Sequence, residues 1–481
     1  MMRLARPGPH RGGMAEGAVT GRAVARGVLL PLALAQFICS FAGSNMNVMI
    51  NDMSRDLNTT VQGIQVAITI FLLVMAAFMI PGGKLTDRYG RKRCFNVGLV
   101  VYAVGALLSA AAPGLGILIL GNSILEGIGT ALLIPPVYIL ATMFFTGVTS
   151  RARAFGAISA AGGIGAATGP LIGGLITQAI SWRASFVFQA LVIAVIVLLS
   201  RRSVEDPLPA DPTRQFDVRG AVLSAVGLIL LVTGILAADN NLLVMLVLIV
   251  AGVLVLVWFF ASVRAKERAG QEPLLSTQLF RNRTSNLGLV TQNAQWLMLM
   301  GTSFVVAAYL QVARGYNAIQ TGVIFTAATV GVLLSSLAAQ RLAQRRAQRT
   351  LIVTGFVVTC FGIGLLIALV RLSPSPWALA PGLFIIGLGV GVMLTPSVNV
   401  VQSAFPEAQQ GEISGLSRSV SNLGSSLGTA IAGTVLVAGL AATPGRNYAL
   451  AMVVLAVVGI IGAIVGSMLP ANRPAGAPAS A

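Results

Sequence analysis

The stretch Gly82-Gly83-Lys84-Leu85-Thr86-Asp87-Arg88-Tyr89-Gly90-Arg91-Lys92-Arg93 sets six charged residues between two apolar runs. Residues 63–83 precede it and 94–113 follow it. Each run is about twenty residues long, the length a helix needs to cross the hydrocarbon core of a bilayer. A short basic loop between two such runs predicts a helical hairpin whose connection stays on one side of a membrane.

Working outward, the same theme recurs along the chain. Fourteen spans are predicted. They lie at roughly 27–50, 63–83, 94–113, 115–138, 153–179, 184–200, 219–238 and 242–262, then 285–312, 318–340, 350–371, 376–401, 411–440 and 447–469. Composition agrees: 10% of the 481 residues are charged, 56% are hydrophobic and the mean hydropathy is +0.86. A soluble protein carries about a quarter charged residues and could not cover its surface with so few. In lipid only helices and closed barrels satisfy the backbone, and runs this long mean helices. The expected class is an all-α membrane protein.

The formal charge of +18 would suit a nucleic-acid binder, but its distribution argues otherwise. With both termini cytoplasmic, 26 of the 32 Lys and Arg residues fall on the inner side, leaving Arg55, Arg183, Arg314, Arg371 and Arg446 outside and Arg418 near the inner end of span thirteen. The basicity is therefore a topology signal and an attraction to anionic lipid head groups. The Arg-bearing tail lacks a small-residue cleavage site, so span one is expected to remain as an anchor.

An internal repeat organises the chain. Span five reads Gly156-x8-Gly165-x3-Gly169-Pro170-x2-Gly173-Gly174, and span thirteen, 259 residues later, keeps Gly415, Gly424, Gly428 and Gly433. The loop at 82–93 has a weaker echo at 339–349, offset by 257, where Gln344 stands for Asp87 and Arg345 for Arg88. Two elements repeating at nearly one offset predict two six-helix bundles, 27–200 and 284–469. A linker, 201–283, carries two extra spans, and the tails 1–26 and 470–481 are expected to be disordered. Paired bundles suit alternating access about a central site.

On these residues the chain resembles the major facilitator superfamily, and more closely its fourteen-span drug:proton antiporters. The loop matches the family's signature between spans two and three at nearly every position. The resemblance implies a conformational switch formed by Gly83, Asp87, Arg88, Gly90, Arg91 and Arg93. Gly83 is expected to allow close helix approach, and Asp87 to cap a helix or pair with a cation. Span five resembles the family's antiporter motif, which implies a hinge at Gly156, Gly165, Gly169, Pro170, Gly173 and Gly174. Its small residues favour close packing and its proline a bend.

Two positions depart from the pattern. Family members place an acid five residues before an Asn-Val pair in span one; here Asn47-Val48 follows Ala42. In span four, an arginine is usual four residues before Gly127-x-Gly129, where this chain has Ser123. One acid remains at membrane depth, Glu126, where the family commonly has Gln. Intramembrane carboxylates are costly and functional by default, so Glu126 is the candidate for proton coupling, with a protonated structural role as the alternative.

Span one offers Gln36, Ser40, Ser44, Asn47 and Asn51 at helical spacing, a polar and uncharged stripe. With Asn122, Gln292, Gln295, Trp296 and Asn399 it makes a candidate substrate cavity, amphiphilic in character. Arg418 is expected to pair with Glu412 or to reach the inner surface. Cys39, Cys94 and Cys360 are scattered, the single His10 lies in the tail, and no paired carboxylates or Walker-type loop occur. Neither a metal, a cofactor nor enzymatic chemistry is expected; a proton gradient is the implied energy source. The implied function is export of a hydrophobic or amphiphilic small molecule by a monomer among membrane lipids, with no nucleic-acid partner. An uncoupled facilitator or importer on the same fold is the alternative, and a membrane-embedded enzyme or sensor a remote one.

Overall fold

A computed structural model describes residues 12–145, 148–203, 216–238, 241–342, 346–373, 375–406, 409–439 and 444–470. Among these, all regular structure is helical. Helix α1 (Gly12–Asn45) passes through a 3-10 turn at Met46–Met49 into α2 (Ile50–Asp56), and the two form span one. Next come α3 (Val61–Tyr89) and α4 (Arg91–Ala110). Span four is α5 (Leu115–Leu118), a π-helical stretch at Ile119–Glu126, and α6 (Gly127–Phe144). Helices α7 (Val148–Ala179) and α8 (Trp182–Ser203) complete the first set, and α9 (Val218–Leu236) and α10 (Leu242–Arg268) are the inserted pair. The second set is α11 (Arg283–Ala308), with a π-helical turn at Tyr309–Ala313, then α12 (Ala318–Leu342), α13 (Gln348–Leu372), α14 (Ala380–Gln402), α15 (Gln410–Val437) and α16 (Pro444–Ser467).

Thirteen spans are long and apolar enough to cross a membrane as they stand, and α7 makes the fourteenth. It bends by 42° between Gly156–Ala166 and Thr168–Ala179. The cause is local: Pro170 cannot donate to the carbonyl of Ala166 and its ring crowds that carbonyl. Helix α1 starts at Gly12, so helical backbone replaces the disorder expected over 12–26. Residues 1–11 and 471–481 of the expected tails lie outside the described residues, as do Gln344 and Arg345. Polar side chains start several of the helices. Thr60 accepts from the Gly63 amide, Asn241 from Leu243 and Val244, and Asn282 from Ser285, satisfying donors that each first turn leaves free.

The glycine repeat has a packing cause. In the first bundle α1 packs on α7 and α8, α4 on α6 and α8, and α3 on α6; in the second α11 packs on α15, α14 and α16, and α14 on α12 and α13. A Cβ at Gly165 would run into the Phe37 carbonyl of α1, and one at Gly169 into the Ser44 hydroxyl. On α15, Gly424 and Gly428 meet the carbonyls of Asn293 and Leu297 on α11 in the same way. Only glycine permits such approach. Gly156 and its counterpart Gly415 have no such neighbour.

Candidate transport pathway and coupling site

Because consecutive spans alternate in direction, the helix ends at Tyr89, Arg91, Arg268 and Leu342 fall on one face, the basic face. At the opposite face the bundles are pinned together. Gln311 donates to the Asn47 carbonyl at 2.7 Å, and its side-chain oxygen accepts from the Asn51 amide at 3.2 Å. Gln65 of α3 donates to the carbonyls of Thr429 and Ala430 on α15 at 3.1 and 3.2 Å. Gly322 of α12 abuts the Pro170 carbonyl, and Gly174 abuts that of Ala318. Packing between bundles is carried chiefly by α3 with α15, α7 with α12, and the corner at residues 46–56. Helices α1, α6 and α14 make no comparable packing across to the other bundle.

Toward the basic face a polar chain crosses from α15 through α6 to α1. The Arg418 guanidinium of α15 donates to the Tyr138 hydroxyl of α6 and stacks 4.8 Å from its ring. Tyr138 donates to Gln36 at 3.2 Å, and Gln36 donates to Ser40 at 3.1 Å. Arg418 therefore does not pair with Glu412. That acid takes Lys84 of α3 at 2.6 Å instead, and among the described residues Arg418 has no carboxylate partner. A guanidinium held by a neutral phenol keeps its charge available to a ligand.

The span-one stripe is divided. Helix α1 ends at Asn45 and passes into a 3-10 turn, so Asn47 and Asn51 lie beyond the continuous α-helix that carries Gln36, Ser40 and Ser44. Ser44 returns its hydroxyl to the Ser40 and Phe41 carbonyls beside Gly169, while the Asn47 side-chain oxygen is buried without a partner. Asn122 is buried against Met46. Gln292 is fully engaged, donating to Ser421 and accepting from Ser417, both at 2.9 Å. Gln295 is buried with neither amide atom satisfied, Trp296 is half-buried and Asn399 is exposed.

Glu126 closes the π-helical stretch and is buried completely. Ser109 of α4 donates to one of its oxygens at 3.4 Å, and the other has no partner. Neighbouring Tyr102 donates to Gln189 of α8 at 2.6 Å. The extra residue of a π-bulge re-aims a side chain, and such bulges recur at functional positions. Here it coincides with the one fully buried carboxyl among the described residues.

In the loop at 82–93, Asp87 pairs with Arg91 one turn on, at 3.2 Å, and Arg88 lies 5.5 Å from the Tyr89 ring. Gly90 has φ +94° between α3 and α4, a conformation that favours glycine. Close approach belongs to Gly82, whose Cβ would strike the Ala131 carbonyl. Gly83, the expected residue, would meet only Pro135 at an ordinary 3.8 Å. Arg93 is exposed.

The sequence profile of the Major Facilitator Superfamily matches residues 32–238, 220–429 and 289–480. The chain belongs to that superfamily. It is 32% identical over 412 residues to the puromycin resistance protein of Streptomyces alboniger, covering 85% of this chain and 81% of the relative. It is 29% identical over 377 residues to the multidrug efflux pump LfrA of Mycolicibacterium smegmatis, 77% of this chain and 73% of that one. Its fold matches a crystal structure of a peptide transporter bound to sulfate, with TM-score 0.68 and 18% identity over 92% of this chain and 96% of the other. It is thus a multi-pass transporter of the major facilitator fold.

Within that superfamily the two departures are structurally quiet. Ala42 is packed in the core of the first bundle, and Ser123 donates to the Ala67 carbonyl at 2.7 Å. The contacts between the bundles that sequence missed are Tyr138 and Gln311. Their signal was weak: one tyrosine and one glutamine near the ends of long apolar runs.

Proposed function

We propose that this chain exports an amphiphilic small molecule across the cytoplasmic membrane by alternating access, driven by proton influx. Residues 27–200 and 284–469 are the moving halves, joined by 201–283, and the monomer acts among membrane lipids. The basic face, with both termini, is cytoplasmic. The observation that carries the reading is the 32% identity, over most of both chains, to a resistance protein. The Arg418–Tyr138–Gln36 chain between the bundles supports an amphiphile bearing hydrogen-bond acceptors. Glu126 is the proton site. Burial makes its charged form expensive, and its free oxygen leaves room for a proton to come and go. The signature loop is the switch, and the bend at Pro170 is the hinge.

Everted membrane vesicles test this with puromycin and other amphiphilic antibiotics. Uptake is expected to stop when the proton gradient is collapsed, and Glu126→Gln is expected to lower gradient-driven uptake about tenfold or more, the scale of a lost proton-transfer group. Uptake that survives both treatments would rule out proton-coupled export.

A further inference from the structure

The basic residues at the opposite face are not alike. Arg183 is tied to Asp56 and the Ala112 carbonyl. Arg314 donates to the Tyr309 hydroxyl at 3.2 Å and to the Val370 carbonyl at 3.0 Å. Arg371, at the end of α13, and Arg446, in the first turn of α16, are exposed and have no ion-pair or hydrogen-bond partner among the described residues. Both stand on one cleft of about 410 Å³ between α11, α13 and α16.

The walls of that cleft are Ile367 and Val370 from α13 and Leu450 and Val453 from α16. Leu450 and Val453 are 47% and 48% exposed on the side of α16 that carries Val457, Ile460 and Ile464, so the cleft opens to the acyl chains of the bilayer. Its floor holds Tyr309 and Tyr448, whose rings lie 4.5 Å apart. Tyr448 is 1% exposed and its hydroxyl has no partner. Two unneutralised guanidinium groups, an apolar trough open to lipid and a buried hydroxyl lacking an acceptor thus converge on one cleft.

We propose that this cleft binds one anionic phospholipid of the leaflet opposite the basic face. Arg371 and Arg446 hold the phosphate, since guanidinium matches phosphate geometry with paired donors. Tyr448 supplies a donor to a phosphate or ester oxygen, and the acyl chain runs over Leu450 and Val453. The volume suits a head group and the first carbons of a chain rather than a whole lipid, the remainder lying along the exposed face of α16. The assignment depends on the orientation proposed above only for the name of the leaflet.

Native mass spectrometry of the full chain, purified in micelles carrying phosphatidylglycerol and phosphatidylcholine, tests it. One phosphatidylglycerol is expected to be retained in preference to phosphatidylcholine. Arg371→Gln/Arg446→Gln is expected to reduce that retention at least fivefold. Val453→Trp, which fills the trough and leaves both arginines, is expected to reduce it as well. Arg264→Gln/Arg268→Gln, with the same charge loss at the basic face, is expected to keep it. Equal retention by the Arg371/Arg446 variant overturns the proposal, as does retention that ignores head-group charge. Displacement of the lipid by millimolar glycerol 3-phosphate would assign the cleft to a free phosphate ester and overturn it too. None of these readouts depends on transport.

Discussion

The two seams between the bundles are related by the internal repeat, yet they are built differently. At the opposite face Gln65 of α3 binds the backbone of α15, and its counterpart 257 residues on is Gly322, which abuts α7 by backbone contact alone. Further along α3–α15, Ser426 donates to the Thr69 carbonyl at 3.0 Å and Ser419 to that of Ala76 at 2.5 Å. Their counterparts 259 residues earlier are Ala167 and Ala160, which have no hydroxyl to give. The seam ends in the Lys84–Glu412 pair, whose counterparts are Arg341 and Arg153, two like charges.

The inserted helices sharpen the difference. Helix α9 lies over α3–α15, packing Val232 and Leu236 with Leu73 and Ala430. Leu274 and Leu275, which follow α10, continue this cover to Ile80 near the basic face. Among the described residues the α7–α12 side has no such cover, and Ile164, Val330, Leu333 and Leu337 are exposed. Duplication thus decided where the halves touch. Side chains decided that one contact is hydrogen-bonded and covered, while the other rests, among the described residues, on close backbone packing.

Breaking the bare seam should cost most. Gly322→Val places carbons where the Pro170 carbonyl stands, and overpacking of that kind costs roughly 1–3 kcal/mol or more. Vesicle transport should fall about 100-fold at equal expression, and Gln65→Ala at the counterpart about tenfold, on the scale of 1.4 kcal/mol per tenfold. If the two variants behave alike, the seams are not distinct. Next, Glu412→Lys gives α3–α15 the two like charges that its sequence counterpart carries. A roughly tenfold loss is expected, with recovery to within about threefold in Lys84→Glu/Glu412→Lys, because the cycle restores the pair. A double variant as impaired as the single one would show that the pair is not a clasp.

Smaller still is Ser419→Ala with Ser426→Ala, which makes the bonded seam resemble its partner. Each hydrogen bond is worth about 0.5–1.5 kcal/mol, so about a threefold change in rate and a lower Tm are expected. The smallest effect concerns the cover. Asp217 accepts from Lys266 at 2.6 Å and from the Gly220 and Leu274 amides, joining the start of α9 to the end of α10. Burial alone would push its carboxyl up. The Lys266 ammonium and the two amides outweigh burial and hold it below the usual carboxylate range. A depressed folded value means stability that is full above the unfolded Asp value of about 3.9 and is lost as pH falls through the folded one. Asp217→Asn should therefore lower Tm by about 1–2 °C at neutral pH. The gap from the parent should close in acid; a gap unchanged down to about pH 3 would contradict the charge argument.

Much of this was legible in the chain. Span lengths follow from lipid thickness, and the Gly-Pro pattern announced both the bend of α7 and its tight packing. The site was less legible. Gly82 and Gly83 differ by one position, but one residue turns a helix by about 100°, so only the neighbour's carbonyl tells which glycine is needed. The stripe of span one assumed a continuous α-helix, whereas a 3-10 turn at Met46–Met49 interrupts that helix after Asn45. Arg418 found its partner 280 residues away rather than on its own helix.

Sequence by itself determined that this is a helical membrane transporter with duplicated halves, because hydropathy, charge bias and repeats are properties of the chain read in order. It also determined that Ala42 and Ser123 stand where the superfamily usually has charges. Tertiary structure alone decided how the duplicated seams differ, where Glu126 is enclosed and which charges go unpaired. These depend on partners hundreds of residues apart, and no local period encodes which carbonyl or cation will face a given side chain.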